Sequence, residues 1–148
     1  MMVLDTREYI GVLRQLVEEG REVSCCVSGG SMAPFLADGR DYVLLTKAED
    51  PLRRGDVVFF ERSDGRFILH RILKCTPQGY YMVGDGQSCV EGPVAREQVF
   101  AKLKAAKRKG VWIGPGNFWW EFFARVWICL VPFRKNIQKA YLFFRRTK

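Results

Sequence analysis

The sequence predicts an α+β protein that is mainly β, built from antiparallel strands with one helix at the N-terminus and a helical tail at the C-terminus. Three observations indicate this fold class. Apolar residues recur at helical spacing near the N-terminus, short β-branched and aromatic runs alternate with glycine turns in the middle, and the final segment is rich in aromatic and basic residues. A chain of 148 residues is long enough for one domain with a sizeable core.

The N-terminal helix is predicted within residues 1–22. Asp5, followed three residues later by Glu8, has the pattern of a capping box, and Gly20 is a typical stop signal. Between these signals the apolar side chains fall on one face of a helix, at Tyr9, Ile10, Leu13, Leu16 and Val17. The segment is therefore expected to be one amphipathic helix.

The central region, residues 23–109, is predicted to be a β domain. Its β-branched and aromatic residues form six short runs, at residues 23–27, 42–46, 57–61, 67–74, 80–83 and 99–103. Turns that contain glycine separate the runs, among them Asp38-Gly39 and Gly84-Asp85-Gly86. Short strands joined by such turns favour a mostly antiparallel sheet.

The tail, residues 110–148, is predicted to form two amphipathic helices, one at residues 117–133 and one after Pro132. In the first helix, Asn117, Glu121 and Arg125 fall four residues apart on a narrow polar stripe, and most of the remaining surface is apolar. In the second helix one side is apolar, with Ile137, Tyr141 and Phe144, and the other is largely basic, with Arg134, Lys135, Lys139, Arg145 and Arg146.

Charge is distributed unevenly along the chain. Residues 1–100 contain 12 Lys and Arg against 15 Asp and Glu, whereas residues 101–148 contain 12 against Glu121 alone. Such a basic tail suits phosphate groups, either of nucleic acid or of anionic lipids. Because the aromatic residues of the tail are interleaved with Leu, Ile and Val, they are more typical of a membrane-facing belt than of a base-stacking platform.

A membrane surface is therefore the expected partner of residues 111–148, and no nucleic acid is expected. Burying Pro115, Glu121 and Arg125 in hydrocarbon is costly, which favours a tail that lies on the membrane over one that spans it. A different interpretation is that the tail packs on the β domain as ordinary core. Since no basic stretch followed by an apolar run is found near the N-terminus, the sequence predicts a peripheral or monotopic membrane-associated protein, with the cytoplasmic side favoured.

No metal or cofactor is expected from the sequence. The five cysteines lack C-x-x-C spacing and the chain has a single histidine, which argues against a structural zinc site. No glycine loop has the spacing of a phosphate-binding or dinucleotide-binding motif. Any catalysis would then depend on side chains alone.

The most informative stretch is the loop Ser28-Gly29-Gly30-Ser31-Met32-Ala33-Pro34. Its two glycines let the backbone turn sharply before Ser31, leave the serine hydroxyl uncovered and let a carbonyl group approach the Ser31 N–H. Ser-Gly-Gly sequences are most often ordinary loops, so a catalytic interpretation requires a base elsewhere in the chain.

His70 is the candidate base. It is the only histidine, it lies on the run 67–74 after the strand start at Gly55-Asp56, and it follows Ser31 by about forty positions. A neutral imidazole with a pKa near 6.5 can accept a serine proton at neutral pH. A lone histidine on an apolar strand is usually a packing residue, but the interval from Ser31 favours catalysis.

Together these motifs resemble the signal peptidase and LexA-type repressor superfamily, whose members share a Ser-Met nucleophile turn, a Gly-Asp strand start and a base some forty positions downstream. The resemblance covers about residues 23–104 and implies a signal-peptidase/LexA-like β fold. A histidine base is similar to the endoplasmic-reticulum and archaeal branch, which implies Ser31 as nucleophile and His70 as general base. It also implies that Asp85 orients His70; a turn aspartate with a purely structural role is equally consistent, and Glu91 is then the alternative.

The resemblance implies a serine endopeptidase that cleaves leader or signal-type peptides through an acyl-enzyme, with small side chains before the scissile bond. Signal peptidases usually carry a serine at the position of Gly29, so the Ser31 N–H is the expected oxyanion donor beside Gly29 and Gly30. Met32 and Pro34 are expected to shape the substrate groove. The competing interpretation is an inactive β domain that binds a membrane surface or nucleic acid.

Overall fold

The computed structural model describes residues 6–146. The fold class predicted from the sequence, α+β with mainly antiparallel strands, is confirmed. In chain order the elements are α1 (Thr6–Glu18), β1 (Val23–Cys26), β2 (Tyr42–Lys47), β3 (Val57–Glu61), β4 (Phe67–Thr76), β5 (Gly79–Val83), β6 (Glu91–Val94), a 3-10 turn (Arg96–Gln98), β7 (Val99–Arg108), β8 (Val111–Ile113), α2 (Phe118–Glu121) and α3 (Arg134–Arg146).

Helix α1 is the helix predicted near the N-terminus. Its apolar face packs against the sheet, where Leu13 and Val17 are almost completely buried. The predicted capping residue Asp5 lies outside the described residues.

All eight strands belong to one antiparallel sheet. The order is β1-β2-β7-β3-β4-β5-β6, and β8 pairs with the far end of β7. The long strand β7 is central because it pairs with β2, β3 and β8. Strands β1 and β6 lie at the two edges.

Strands β6 and β8 were not predicted from the sequence. Strand β6 contains Pro93, which lacks a backbone N–H donor and is tolerated because β6 is an edge strand. Strand β8 follows the two-residue turn Lys109-Gly110, in which both residues have positive φ, 52° and 83°, as in a type I′ hairpin. The sheet therefore extends past the predicted domain boundary at residue 109.

The two faces of the sheet bury separate apolar cores. Successive side chains of a strand point to opposite faces, so Val57 and Phe59 of β3 enter the first core, whereas Val58 and Phe60 enter the second. Helix α1 and the segment after β8 cover the first core. Strand β3 is consequently buried on both sides.

Residues 118–133 differ from the single helix predicted there. They form the short helix α2, one π-helical turn at Phe122–Val126 and a 3-10 segment at Trp127–Phe133. Pro132 lies inside the 3-10 segment and has no N–H to donate, so the hydrogen-bond ladder of a regular α-helix cannot continue through it.

This irregular segment packs on the sheet. Phe123 and Ile128 are 3% and 1% exposed, and the ring centroid of Phe123 lies 5.0 Å from that of Phe35. The interpretation of the tail as ordinary core therefore holds for these side chains, although Phe118 is 70% exposed. Among residues 6–146, no helix has both the length and the apolar character needed to cross a membrane.

Phe123→Ala is expected to lower the free energy of unfolding by about 3–5 kcal/mol, because it leaves a cavity between the tail and Phe35. Phe118→Ala removes the same ring from an exposed position nearby and should change stability by no more than about 0.5 kcal/mol. Urea unfolding followed by circular dichroism measures both variants. Equal effects would mean that the tail is not part of the core.

Candidate active site

The loop of Ser31 is anchored on one side and open on the other. Gly29 has a φ of 88°, in the left-handed region, and its N–H donates a hydrogen bond to Asp38 Oδ1 at 3.0 Å. Just after the loop, Phe35 is buried in the first core. Ser31 itself is half-buried, and within residues 6–146 its backbone N–H and its hydroxyl donate no hydrogen bond.

Of the four residues expected to line a substrate groove, one is buried and three are exposed. Met32 is 2% exposed and packs inside the first core, so its side chain lies below the surface that carries Ser31. Gly29, Gly30 and Pro34 remain exposed.

A second turn, residues 84–87, packs directly on the Ser31 loop. The Gly86 N–H donates a hydrogen bond to the Ser31 carbonyl oxygen at 2.9 Å. A Cβ at Gly84 would collide with that same oxygen and would lie 3.1 Å from Nε2 of His70. Glycine at position 84 thus allows the Ser31 loop and the His70 ring to approach one another.

His70 lies on β4 and is 3% exposed. Its ring meets Phe60 of the second core, with centroids 6.1 Å apart. Nε2 abuts Gly84, the residue that also contacts the Ser31 loop, whereas Nδ1 lies 3.5 Å from Oε1 of Glu91. That separation is longer than a normal hydrogen bond, so Nδ1 has no hydrogen-bond partner among the described residues, and none joins the side chains of Ser31 and His70.

Glu91 is the carboxylate on the same side of the sheet as His70. Met82 of β5 pairs with Ile72 of β4 on one side and with Glu91 of β6 on the other, which places these side chains on one face with His70. The carboxylate is held by Arg62 through two hydrogen bonds of 2.7 and 3.0 Å. This clamp keeps Glu91 beside Nδ1.

Asp85 does not occupy the place that the resemblance implied. Both of its carboxylate oxygens accept hydrogen bonds from Arg71, at 2.8 and 2.7 Å, and the pair is buried. Arg71 follows His70 in the strand and therefore points to the opposite face, where its guanidinium lies over the Phe35 ring. Asp85 holds the turn in place, and the alternative residue, Glu91, is the one beside His70.

The tail completes the support of this turn. Arg134, fully buried at the start of α3, donates hydrogen bonds of 2.9 Å to the carbonyl oxygens of Gly84 and Gln87. The Trp127 indole N–H donates to the Asp85 carbonyl oxygen at 2.7 Å. Arg134 was predicted to lie on the basic side of a helix, and its buried role has no local signal in the sequence because its partners lie some fifty residues earlier.

The electrostatic environment keeps His70 neutral at pH 7. Burial lowers the pKa of His70 below its ordinary value of 6.5, and the positive charge of Arg62 acts in the same direction. The negative charges of Glu91 and, more weakly, Asp85 oppose this shift. A neutral imidazole with one nitrogen toward a serine loop and the other toward a carboxylate can accept a proton and be stabilised afterwards.

One cavity borders this region, and a larger groove lies away from it. The cavity, of about 340 Å³, borders the candidate site and is lined in part by Phe60, Arg62 and Glu91. A larger groove of about 1070 Å³ lies between residues 46–57 and 120–129 and includes neither Ser31 nor His70. In the part of the chain that the structure describes, no three His, Cys, Asp or Glu side chains are grouped to hold a metal ion.

Comparisons of the chain with protein-family models, with curated proteins and with solved structures gave no match.

Asp85→Asn is expected to lower the free energy of unfolding by about 3–5 kcal/mol, since it leaves the buried charge of Arg71 without its counter-ion. Glu91→Gln is the matched control, because the Arg62–Glu91 pair is partly exposed and should contribute about 1 kcal/mol or less. Urea unfolding at neutral pH measures both. A larger loss for Glu91→Gln would reverse the roles given to the two carboxylates.

The imidazole of His70 is expected to titrate below pH 6.5 in the folded protein, and lower still in Glu91→Gln, which loses the charge that raises the pKa of His70. Because unfolded histidine titrates near 6.5, the unfolded state takes up its proton first as the pH falls from about 6.5. Stability should therefore decrease below that pH and be unaffected by His70 above it. NMR measures the titration without ambiguity, since the chain has one histidine; a midpoint above 6.5 would contradict the geometry.

Proposed function

We propose that the protein is a serine endopeptidase in which Ser31 is the nucleophile, His70 is the general base and Glu91 orients His70. The observation that best supports this proposal is the contact between the Ser31 loop and the turn at Gly84, because that turn also abuts Nε2 of the buried histidine. A histidine that served only for packing would not need a serine loop on one nitrogen and a clamped carboxylate near the other.

The chemistry follows from these positions. The Ser31 oxygen attacks the carbonyl carbon of a peptide bond while its proton passes to Nε2 of His70. The resulting imidazolium, stabilised by Glu91 near Nδ1, gives the proton to the departing amine and leaves an acyl-enzyme. A water molecule that transfers its proton to His70 then releases the acyl group and restores Ser31. The hydrogen bond between Ser31 and His70 is expected to close in the substrate complex, as catalytic hydrogen bonds often do.

Two further features agree with a peptide substrate. The Ser31 N–H, which donates no hydrogen bond within residues 6–146, is available for the oxyanion of the tetrahedral intermediate. Strand β1 is an edge strand that leads into the Ser31 loop, so an extended peptide can pair with it and place a carbonyl at the serine. The expected substrates are leader or signal-type peptides with small side chains before the cleaved bond.

Covalent labelling with a serine-reactive phosphonate at neutral pH tests the proposal. Wild-type protein should be labelled, Ser31→Ala and His70→Ala should not, and Glu91→Gln should be labelled at least about tenfold more slowly because the imidazolium loses its support. Ser28→Ala removes an exposed serine of the same loop and should be labelled like wild type. Mass spectrometry gives the rate and the site.

Cleavage of a leader peptide with small residues is the second readout, since a phosphonate and a peptide approach the serine differently. Variants are compared only after circular dichroism shows that they are folded. If folded wild-type protein neither reacts with the phosphonate nor cleaves the peptide, or if Ser31→Ala retains either activity, the proposal is wrong.

A further inference from the structure

Helix α3 has an exposed apolar side that the sheet does not cover. Ile137, Tyr141 and Phe144 are separated by four and three residues, which places them on one side of the helix. Their side chains are 37%, 65% and 66% exposed. From Lys135 to Arg146 every described residue of α3 is exposed.

The charge of α3 is entirely positive. Lys135, Lys139 and Arg146 are separated by four and seven residues and lie on the side opposite Ile137, Tyr141 and Phe144, a side that also carries the exposed Leu142 and Phe143. The helix contains no acidic residue, and residues 101–148 contain only Glu121. A helix with an apolar side and an uncompensated basic side matches a surface that offers both hydrocarbon and negative charge.

We propose that α3 is the surface through which this protein docks on an anionic lipid membrane, lying in the plane of the headgroups with Ile137, Tyr141 and Phe144 toward the acyl chains. The occupant is a lipid surface and not a second copy of the chain. Two α3 helices packed by their apolar sides would turn their basic sides outward, where a second α3 offers no acidic side chain to pair with them, whereas anionic headgroups supply the opposite charge.

Only part of residues 111–148, the segment for which the sequence predicts a membrane contact, is available to lipid. Phe123 and Ile128 are buried in the protein interior, so only some of the apolar residues in the segment before α3 could contact lipid. In α3 the apolar residues Ile137, Tyr141 and Phe144 are all exposed, and cations lie along the opposite side of the same helix. The lipid contact is therefore assigned to residues 135–146.

Docking through α3 would also fix the distance of the candidate active site from the membrane. Arg134, the first residue of the helix, is hydrogen-bonded to the carbonyl oxygens of Gly84 and Gln87, and the Gln138 amide donates to the Gly86 carbonyl oxygen at 3.4 Å. A helix of 13 residues is about 20 Å long. The 84–87 turn, which contacts both the Ser31 loop and His70, would therefore lie within about one helix length of the lipid.

Binding to vesicles tests the proposal and does not depend on the proposed peptidase activity. The full chain is mixed with vesicles of phosphatidylcholine, or of phosphatidylcholine containing about a third phosphatidylserine, and the bound fraction is measured by flotation. Wild type should bind the anionic vesicles at least about tenfold more tightly than the neutral ones. Ser31→Ala should bind equally well, which separates this test from that of the peptidase.

Two double variants separate the apolar and the electrostatic contributions. Ile137→Ser with Tyr141→Ser should weaken binding at least about tenfold, because it removes apolar surface that would enter the acyl region. Lys135→Gln with Lys139→Gln should weaken it by about fivefold for each charge removed. The matched controls change exposed residues outside α3, namely Val12→Ser with Tyr42→Ser and Arg21→Gln with Lys47→Gln, and should bind like wild type.

Several outcomes would overturn the proposal. They are absence of binding by wild type, equal affinity for neutral and anionic vesicles, and equal losses in the α3 variants and their controls. A dimer in sedimentation equilibrium that disappears in Ile137→Ser would show that the apolar side pairs with a second copy. Unchanged thermal unfolding of the variants, which alter only exposed side chains, shows that a loss of binding is not a loss of fold.

Discussion

The buried ion pair between Arg71 and Asp85 is the interaction on which the candidate site depends. Both side chains are almost completely withdrawn from water and meet through two hydrogen bonds, while Arg71 also donates to the Gly55 carbonyl oxygen at 2.7 Å. Moving two charges from water into a protein interior is costly, and only near-ideal geometry offsets that cost. The pair can therefore form in one arrangement of the 84–87 turn, and in that arrangement Gly84 and Gly86 contact the Ser31 loop.

The sheet places Asp85 and Glu91, which the sequence alone cannot distinguish, in different environments. Neighbouring residues of β4 face opposite sides, so His70 and Arg71 each meet a different acid. Asp85 is fully buried and neutralises an arginine. Glu91 is about one-third exposed, is clamped by Arg62, and lies near a histidine that burial keeps uncharged. Asp85 therefore holds the 84–87 turn in place, whereas Glu91 is the carboxylate positioned to stabilise a positive charge on the imidazole.

The sequence predicted the parts of the fold that leave a local signal. The helix at the N-terminus and six strands follow from apolar periodicity and glycine turns, and Ser31 and His70 stand out by their motifs. Strand β6 was not predicted because it contains Pro93, which is unusual in a strand. Strand β8 was not predicted because the turn before it contains Lys109, which looks like part of the surrounding basic run. The choice between Asp85 and Glu91 could not be made, because it depends on which strands are neighbours and on which face each side chain lies. Arg134 was missed for a related reason, since a long-range contact to backbone carbonyls has no sequence pattern.

The hydrogen bonds of Arg134 connect the 84–87 turn to the tail. Ser31 and His70 belong to strands and loops made early in synthesis, but the turn between them receives hydrogen bonds from a residue fifty positions later than Gly84. A ribosome-bound chain that has not yet reached residue 134 can pair most of its strands while the carbonyl groups of that turn still face water. Assembly of the serine and histidine into their final arrangement is thus expected to follow the arrival of the tail.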